Sequence, residues 1–280
     1  MIIIVMTGVG LVFGFILAIA NKKFSIEVDP KIHEVEDILP KGQCGACGFA
    51  GCAAYADAVV SNPDVAPNLC VPGKEAVAKM VAEITGKAAA SVEPKVAHIK
   101  CSGSIDKSSL SYKYKGVKDC FAANLLQGGP KDCKFGCIGF GTCVQNCPFD
   151  AMTLGENGLP IVDTDMCTGC GSCAAVCPKK VIEMISPNAP VKVNCNSNDK
   201  GAAARKFCSV SCLGCGICKK NCNFGAITIE NNLAIVDTSI CTSECTEATC
   251  TAKCPTGAIK SAVIEQNKKA NREAAAGLSE

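Results

Sequence analysis

The chain has 280 residues, of which 24 are cysteine, 3 are tyrosine, 10 are phenylalanine and none is tryptophan. The formal net charge is only +2, and no basic stripe with interleaved aromatic residues is present. These features exclude a nucleic-acid-binding protein. So few aromatic residues also exclude a large conventional core, so disulfides or metal centres must hold much of the chain together.

The first 20 residues carry no charged side chain. As a helix rising about 1.5 Å per residue they would span about 30 Å, the thickness of a bilayer core. Lys22 and Lys23 follow, which predicts that the rest of the chain is cytoplasmic. A cleaved secretory signal is the alternative, because residues 18–20 read Ala-Ile-Ala, but no positive region precedes the apolar run. We predict an uncleaved transmembrane anchor over residues 1–22.

A connector helix is predicted over residues 23–40, because Asp29 and Pro30 form a helix start and apolar residues then recur on one face. Residues 41–86 form a small helical unit with further helices from Cys52 to about Val60 and from Lys74 to Ile84, which Gly86 ends. Its four cysteines predict one [4Fe–4S] cluster, with a structural zinc site as the alternative. They are Cys44, Cys47, Cys52 and Cys70.

Two longer cysteine runs have the spacing C-x2-C-x2-C-x3-C, which is typical of bacterial ferredoxins that hold [4Fe–4S] clusters. Isolated C-x2-C pairs would be ambiguous with zinc, whereas two full runs favour iron–sulfur chemistry over zinc or disulfides. The first run is Cys167, Cys170, Cys173 and Cys177, followed by Pro178. The second is Cys212, Cys215, Cys218 and Cys222, followed by Asn223.

An internal repeat sets the architecture of residues 131–262. Residues 151–154 and 161–164 match residues 226–229 and 235–238, and each pair flanks a turn, so each predicts a β-hairpin. The order of cysteine run, hairpin and cysteine run predicts two tandem two-cluster ferredoxin-like modules. We place them at residues 131–182 and 208–262 of an α+β chain.

In ferredoxins the fourth cysteine of each run ligates the other cluster of the pair. In the first module, therefore, one predicted ligand set is Cys147, Cys167, Cys170 and Cys173. The partner set has Phe140 where a cysteine is expected, so it holds either a [3Fe–4S] cluster or a cube completed by Cys133; we favour Cys133. The favoured set is Cys133, Cys137, Cys143 and Cys177.

In the second module the same rule predicts one set of Cys212, Cys215, Cys218 and Cys254 and another of Cys222, Cys241, Cys245 and Cys250. Five clusters then use 20 of the 24 cysteines. The others are Cys101, Cys120, Cys195 and Cys208. Because residues 98–102 resemble residues 192–196, these four either hold a sixth cluster between the modules or remain buried thiols.

The remaining segments are less informative. Residues 87–130 and 183–207 are predicted connectors, with strand-like alternation at residues 112–115, and residues 263–280 form a polar tail that is frayed or disordered. The two histidines, His33 and His98, are interpreted as surface residues. Residues 71–134 carry 11 Lys and 6 acidic residues, so this region either faces an acidic redox donor such as a ferredoxin or is an ordinary solvated surface.

The order of these features resembles the iron–sulfur B subunits of Rnf complexes, which are ion-translocating ferredoxin:NAD oxidoreductases of bacterial membranes. The resemblance covers residues 1–260 and rests on four stretches. They are the uncharged N-terminal helix ending in Lys22-Lys23-Phe24, then Val28-Asp29-Pro30, then CGACGFAGCAAY at residues 44–55, and then the tandem ferredoxin modules. The stretch CIGFGTC at residues 137–143 also fits that family.

The resemblance implies a single-pass subunit of the bacterial inner membrane that accepts electrons from reduced ferredoxin. They would pass through five or six [4Fe–4S] clusters towards a flavin- and NAD-binding subunit and the integral-membrane subunits, which transport Na⁺ or H⁺. No nucleotide-binding motif is present, so no catalysis beyond electron transfer is expected of this chain alone. The alternatives are the polyferredoxin arm of another membrane reductase, or of a complex that reduces a redox regulator, and a cluster-storage protein.

Overall fold

The structure is a computed structural model that describes residues 2–24, 29–91, 93–245 and 248–261. Helix α1, Ile2–Phe24, lies apart from the rest, and its apolar side chains such as Leu11 and Phe15 are exposed. The segment Met6–Lys23 is long and apolar enough to cross a membrane. Its exposure means that the apolar surface of α1 is available to lipid or to a partner helix.

Three helices build the unit that follows, as the sequence predicts: α2 (Pro30–Ile38), α3 (Cys52–Ser61) and α4 (Lys74–Thr85). The Asp29 carboxylate accepts a hydrogen bond from the Lys31 N–H and caps α2. Gly86 ends α4 in the left-handed conformation, with φ of 70°. Helix α2 packs against both other helices around a core that includes Val35, Tyr55, Val59 and Val81.

Two structurally similar units follow, each made of two antiparallel strand pairs. In the first unit, residues 96–185, β1 (Val96–Ile99) pairs with β4 (Ile182–Ile185), and β2 (Met152–Leu154) pairs with β3 (Pro160–Val162). In the second unit, residues 191–261, β5 (Val191–Val193) pairs with β8 (Ile259–Ser261), and β6 (Ile227–Glu230) pairs with β7 (Leu233–Val236).

The two predicted hairpins, β2–β3 and β6–β7, are confirmed. Strands β1 and β5, however, lie inside the segments predicted as connectors, so each unit begins earlier than its first cysteine run. The reason is that each two-stranded hairpin leaves one side of the cysteine loops uncovered, and β1 and β5 cover it with buried residues such as Val96 and Val191.

The cysteine loops are held by very short helices, three of which follow a glycine with positive φ. Gly141, Gly171 and Gly216 have φ of 77°, 80° and 71°. The helices are α5 (Cys120–Asn124), α6 (Thr142–Gln145), α7 (Ser172–Ala175), α8 (Gly201–Phe207), α9 (Ile217–Lys220), α10 (Thr238–Glu244) and α11 (Thr249–Ala252). Ala248, with φ of 48°, takes the glycine position before α11. Here the last cysteine run, residues 241–254, reads C-x3-C-x4-C-x3-C instead of the C-x2-C-x2-C-x3-C of the two full runs.

Two smaller expectations are wrong. Residues 112–115 form no strand; the Tyr112 hydroxyl instead donates to the Leu126 carbonyl and the Tyr114 ring packs against Phe140. His98 is half-buried rather than on the surface, since its Nε2 lies 3.3 Å from the Val193 carbonyl oxygen, and burial lowers its pKa. The predicted tail at residues 263–280 lies outside the described residues.

Candidate iron–sulfur sites

All 24 cysteines are described, and every one is a free thiol, which removes the disulfide alternative. Four recesses in the structure are each lined by four cysteines. The thiols of the remaining eight cysteines neighbour one another in two further groups. The whole complement therefore divides into six quartets with no cysteine left over.

Four quartets have the membership that the sequence predicts. Quartet 1 is Cys44, Cys47, Cys52 and Cys70. Quartet 2 is Cys147, Cys167, Cys170 and Cys173. Quartet 5 is Cys212, Cys215, Cys218 and Cys254. Quartet 6 is Cys222, Cys241, Cys245 and Cys250.

The partner of Cys137, Cys143 and Cys177 is a correction to the prediction. Cys120, not Cys133, lines their recess, and we name this group quartet 3. The reason is local: Asp119 caps α5, and the Cys120 N–H donates to the Thr142 hydroxyl at 2.8 Å, beside Cys143. The helix-start signal of an Asp before Cys120 was available in the sequence, but it does not reveal which helix α5 contacts.

Cys133 lies instead with Cys101, Cys195 and Cys208, and we name this group quartet 4. The prediction that four cysteines lie outside the other five sets is therefore right in number. Its membership differs, because Cys120 belongs to quartet 3 and Cys133 to quartet 4. Cys133 lies in quartet 4 because two isolated β-bridges position the chain before it. Lys131 forms a bridge with Leu110, and Ser108 forms one with Cys208. These two bridges tie the chain before Cys133 to the second unit.

Burial sets the acidity of these thiols. It is the main cause that raises the pKa of Cys137 and Cys173 to about 12, and that of Cys195 to about 11. Neighbouring thiolates raise these values further, since like charges oppose ionisation. Binding of a cationic centre by these buried thiols would therefore release protons.

The local backbone also suits a sulfur-ligated centre. The Ala97 N–H in β1 donates to the Cys167 sulfur at 3.4 Å, and the Cys212 N–H donates to the Cys195 sulfur at 3.3 Å. Such N–H donors stabilise bound thiolates and tune cluster potentials. No three His, Cys, Asp or Glu side chains of the described residues converge as a site for one ion, for which sulfurs would sit about 3.8 Å apart. The two full C-x2-C-x2-C-x3-C runs favour a multi-iron cube over zinc.

The quartets follow one another in space from 1 to 6. Between each two successive quartets, one thiol has a raised pKa. Burial is the largest cause, and the charge of a thiolate in the other quartet raises that pKa further. The pairs are Cys44 with Cys170, Cys173 with Cys143, Cys137 with Cys101, Cys195 with Cys212, and Cys250 with Cys218. Gly42, at the edge of quartet 1, also lies directly against the Phe149 ring next to quartet 2.

Two family models match this chain. Residues 134–184 match the 4Fe-4S dicluster domain, and residues 39–72 match the family described as "Putative Fe-S cluster". The first match falls in the unit that holds quartets 2 and 3, and the second contains quartet 1. Both agree with the cluster chemistry that the quartets indicate.

Three relatives resemble almost the whole chain. The B subunit of the proton-translocating ferredoxin:NAD(+) oxidoreductase complex of Clostridium ljungdahlii is 60% identical, over 99% of this chain and 98% of the relative. The B subunit of the Na(+)-translocating complex of Acetobacterium woodii is 42% identical, over 89% of this chain and 74% of the relative. The B subunit of the ion-translocating oxidoreductase complex of Methanosarcina acetivorans is 40% identical, over 92% and 96%.

All three relatives are B subunits of complexes of this kind, and each matches about nine tenths or more of this chain. The identity and coverage are high enough to decide the family. The chain is a member of the B subunits of ion-translocating ferredoxin:NAD⁺ oxidoreductase complexes, an iron–sulfur electron-transfer subunit of an oxidoreductase.

Proposed function

We propose that this chain accepts electrons from reduced ferredoxin and relays them, one at a time, along its row of cysteine quartets towards flavin-, NAD- and membrane-bound partner subunits. The single observation that carries the proposal is the spatial order of the quartets. Thiols of successive quartets are close enough to interact electrostatically, and the N–H groups of Cys137 and Cys212 donate to sulfurs of quartet 4. A bound [4Fe–4S] cluster supplies a one-electron carrier, and the protein supplies its position and potential.

In this proposal each of the six quartets holds one [4Fe–4S] cluster, with Cys120 rather than Cys133 as the fourth ligand in quartet 3 and with Cys133 in quartet 4. A fourth thiol in the recess of quartet 3 makes a [3Fe–4S] cluster unnecessary. The chain's own residues bury the sulfurs, donate peptide N–H groups to them and exclude water. No reaction that makes or breaks covalent bonds is assigned to this chain.

Ferredoxin docks beside quartet 3 in this proposal. Lys113, Lys115 and Lys118 are exposed just before Cys120, and they favour an acidic partner. Phe121 and Leu125 on α5 are 63% and 73% exposed, which gives the same surface an apolar centre. Not every lysine of residues 71–134 contributes, since Lys131 is buried and Lys87 donates to three backbone carbonyls.

Helix α1 anchors the subunit in the cell membrane as a single span, with the cysteine units on the cytoplasmic side. The support is its length, its apolar composition and the two lysines in its last turn. Helix α1 has no ionisable residue before Lys22, so ion transport is assigned to the partner subunits rather than to this chain.

The test is an anaerobic titration of the purified chain with reduced ferredoxin, followed by visible and electron paramagnetic resonance spectra. The proposal requires that substoichiometric ferredoxin bleaches the cluster absorbance within the mixing time of a stopped-flow instrument, and that the spins report several interacting clusters. A chain that contains clusters but is not reduced by ferredoxin would contradict the relay. A chain that contains zinc in place of iron would contradict the cofactor.

A further inference from the structure

Quartet 4 lies at the junction of the two units, in a recess whose lining differs from that of the other quartets. We propose that the buried Lys131 ammonium group and the Ser108 and Ser211 hydroxyls set the reduction potential of the cluster in quartet 4. They make it less negative than the potentials of the clusters in quartets 3 and 5, so an electron on the relay rests at the junction. This inference rests on the proposed relay and adds the residues that set the energy of one of its steps.

The recess of quartet 4 is polar, whereas the other three recesses are mostly apolar. Apart from cysteine, seven of the residues that line it are polar or charged. The recesses of quartets 2, 3 and 5 have at most two such residues each. Polarity and hydrogen bonding around the sulfurs are among the factors that set the potential of an iron–sulfur cluster. The lining therefore predicts a potential that differs from those of the neighbouring clusters in the row.

Two hydroxyls in this recess are buried without a hydrogen-bond partner among the described residues. Ser108 and Ser211 are 6% and 2% exposed, and both line the recess. The backbone fixes both beside one ligand, since Ser108 forms a β-bridge with Cys208 and the Ser211 N–H donates to the Cys208 carbonyl at 3.3 Å. A buried hydroxyl needs an acceptor, which the thiolates and sulfides of a cluster would provide. Such donors favour the reduced cluster, because added negative charge strengthens the hydrogen bond.

A buried positive charge lines the same recess. Lys131 is 5% exposed, and its Nζ donates to the Gly103 carbonyl at 2.7 Å. Gly103 lies directly against the ligands, since a Cβ built on it would be 3.3 Å from the Cys208 sulfur and 3.6 Å from the Cys101 sulfur. None of the ion pairs in the described part of the chain includes Lys131. A buried ammonium group without a counter-charge is strongly unfavourable, and a cluster with its thiolate ligands would be that counter-charge.

The sign of the effect follows from the charge of the cluster. A [4Fe–4S] cluster with four thiolates carries a charge of about −2 when oxidised and about −3 after it accepts one electron. Reduced ferredoxin supplies that electron and is itself oxidised by one electron. A fixed positive charge stabilises the reduced state more than the oxidised state, and a buried site screens this effect little. Lys131 therefore moves the potential to a less negative value.

Neither neighbouring recess has an equivalent of Lys131 among the described residues. No charged residue lines the recess of quartet 5. Lys179 lines that of quartet 3, but it is only half-buried and donates to the Lys134 carbonyl at 2.7 Å. The Lys131 charge does reach quartet 3, since burial raises the pKa of Cys137 and Lys131 offsets part of that rise. Because Lys131 lines quartet 4 and not quartet 3, we expect its larger effect in quartet 4.

The first experiment is a redox titration of the anaerobically purified full chain with mediator dyes, followed by electron paramagnetic resonance. The resonances that C208S loses identify the cluster of quartet 4, and those that C120S and C215S lose identify the clusters of quartets 3 and 5. In the unaltered chain, the quartet 4 resonances should appear at the least negative potential of the three. A more negative potential for quartet 4 than for either neighbour, or a C208S variant that loses no resonance, would overturn the proposal.

Three substitutions separate the charge of Lys131 from its hydrogen bond. K131M removes both, K131Q removes the charge but keeps a donor for the Gly103 carbonyl, and K131R keeps both. We expect K131M and K131Q to shift the quartet 4 potential to a more negative value at unchanged iron content, and K131R to retain the original value. K107M is the matched control, because Lys107 is exposed next to Ser108 and solvent screens its charge. An unshifted potential in K131Q, or an equal shift in K107M, would overturn the role of the buried charge.

The two serines are tested together in S108A/S211A, which leaves Lys131 and all four thiols in place. The quartet 4 potential should again become more negative, because two donors to the cluster are lost. S197A is the matched control, since the Ser197 hydroxyl lines the same recess but already donates to the Asp199 carboxylate at 3.2 Å. Equal potentials for S108A/S211A and S197A would overturn the part of the hydroxyls.

These titrations separate failure of this inference from failure of the relay. Mediator dyes reduce the clusters without ferredoxin, so the potentials are measured even if ferredoxin donates no electron. If the relay is wrong, ferredoxin does not reduce the unaltered chain, whatever the potentials are. If only this inference is wrong, ferredoxin still reduces the chain, and K131Q titrates like the unaltered chain. A variant that does not fold is recognised because the resonances of all the quartets change.

Discussion

The peptide N–H of Cys120 donates a hydrogen bond of 2.8 Å to Oγ1 of Thr142, the residue that precedes Cys143. The same hydroxyl donates to the Asp119 carboxylate at 2.8 Å, and Asp119 also accepts from the Ala122 N–H. These bonds lower the pKa of Asp119, with the Ala122 N–H as the largest cause. They hold the start of α5 against the start of α6, so two cysteines far apart in sequence enter one quartet.

The role of Thr142 can be tested directly. T142V removes the acceptor for Cys120 and the donor to Asp119, and it leaves a half-buried N–H unpaired. We expect quartet 3 to lose about 1–3 kcal/mol of stability, measured as faster bleaching of the cluster absorbance in guanidinium. T142S keeps the hydroxyl and should behave like the unaltered chain. Equal bleaching rates for T142V and T142S would show that the hydroxyl does not hold the site.

Single cysteine substitutions test which thiols belong together. C120S and C177S should remove or alter the same set of resonances, because both residues line quartet 3. C133S should instead match C195S, because both line quartet 4. The measurement is electron paramagnetic resonance across a redox titration. Matching spectra for C133S and C177S would contradict the exchange of Cys120 and Cys133.

Two glycines with similar backbone angles differ in the space around them, so alanine substitutions at the two positions separate the cost of a steric clash from that of backbone strain. Gly139 and Gly171 have φ of 93° and 80°, but a Cβ on Gly139 would lie 2.4 Å from the Gly158 carbonyl oxygen, whereas one on Gly171 would meet nothing within 4 Å. G171A should cost about 1–2 kcal/mol from backbone strain. G139A should add a clash worth about 1–3 kcal/mol. The rate of cluster loss in guanidinium ranks the two, and a faster loss in G171A would refute the order.

The proposed docking surface predicts a salt-dependent rate. Charge reversal in K113E/K115E/K118E should slow the second-order reduction by ferredoxin at low ionic strength, because steering between opposite charges speeds association by about 10-fold or more. The difference should shrink at high salt, where charges are screened. Stopped-flow traces measure the rate, and K219E/K220E on α9 is the control. An equal slowing in the control would place docking elsewhere.

Removal of helix α1 separates anchoring from cluster binding. A chain without residues 1–24 should leave the membrane fraction and retain its full iron content, since α1 is exposed and its side chains lie outside the buried core clusters. Fractionation and iron analysis check both expectations. Loss of iron in the truncated chain would show that α1 also supports the cysteine units.

Local patterns in the sequence were sufficient for much of this structure. Helix α2 begins at Pro30 because Asp29 caps it, and α4 ends before Gly86, as predicted from those residues alone. The hairpins and four of the quartets also follow from local patterns. In quartets 2 and 5 a C-x2-C-x2-C loop brings its three sulfurs close together. In quartets 1 and 6 three cysteines lie within ten residues of one another.

The errors concern residues whose position depends on distant contacts. Strand β1 forms because Val96 pairs with Ile185, and no local signal identifies a partner so far along the chain. The choice between Cys120 and Cys133 has the same origin: Cys133 is nearer to Cys137 in sequence, yet the Leu110–Lys131 bridge directs it to the junction. A short separation in sequence therefore does not identify the cysteines of one quartet when long-range bridges fix the position of the loop that carries them.

The pairing of β1 with β4 has a consequence for biogenesis. Val96 and Ile185 close a loop that contains all the cysteines of quartets 2 and 3, and the Ala97 N–H reaches a quartet 2 sulfur only in the closed form. A nascent chain leaving the ribosome exposes these thiols until residue 185 has been synthesised. A chain that ends before residue 185 would therefore hold all eight of these cysteines without the strand pair that closes the unit.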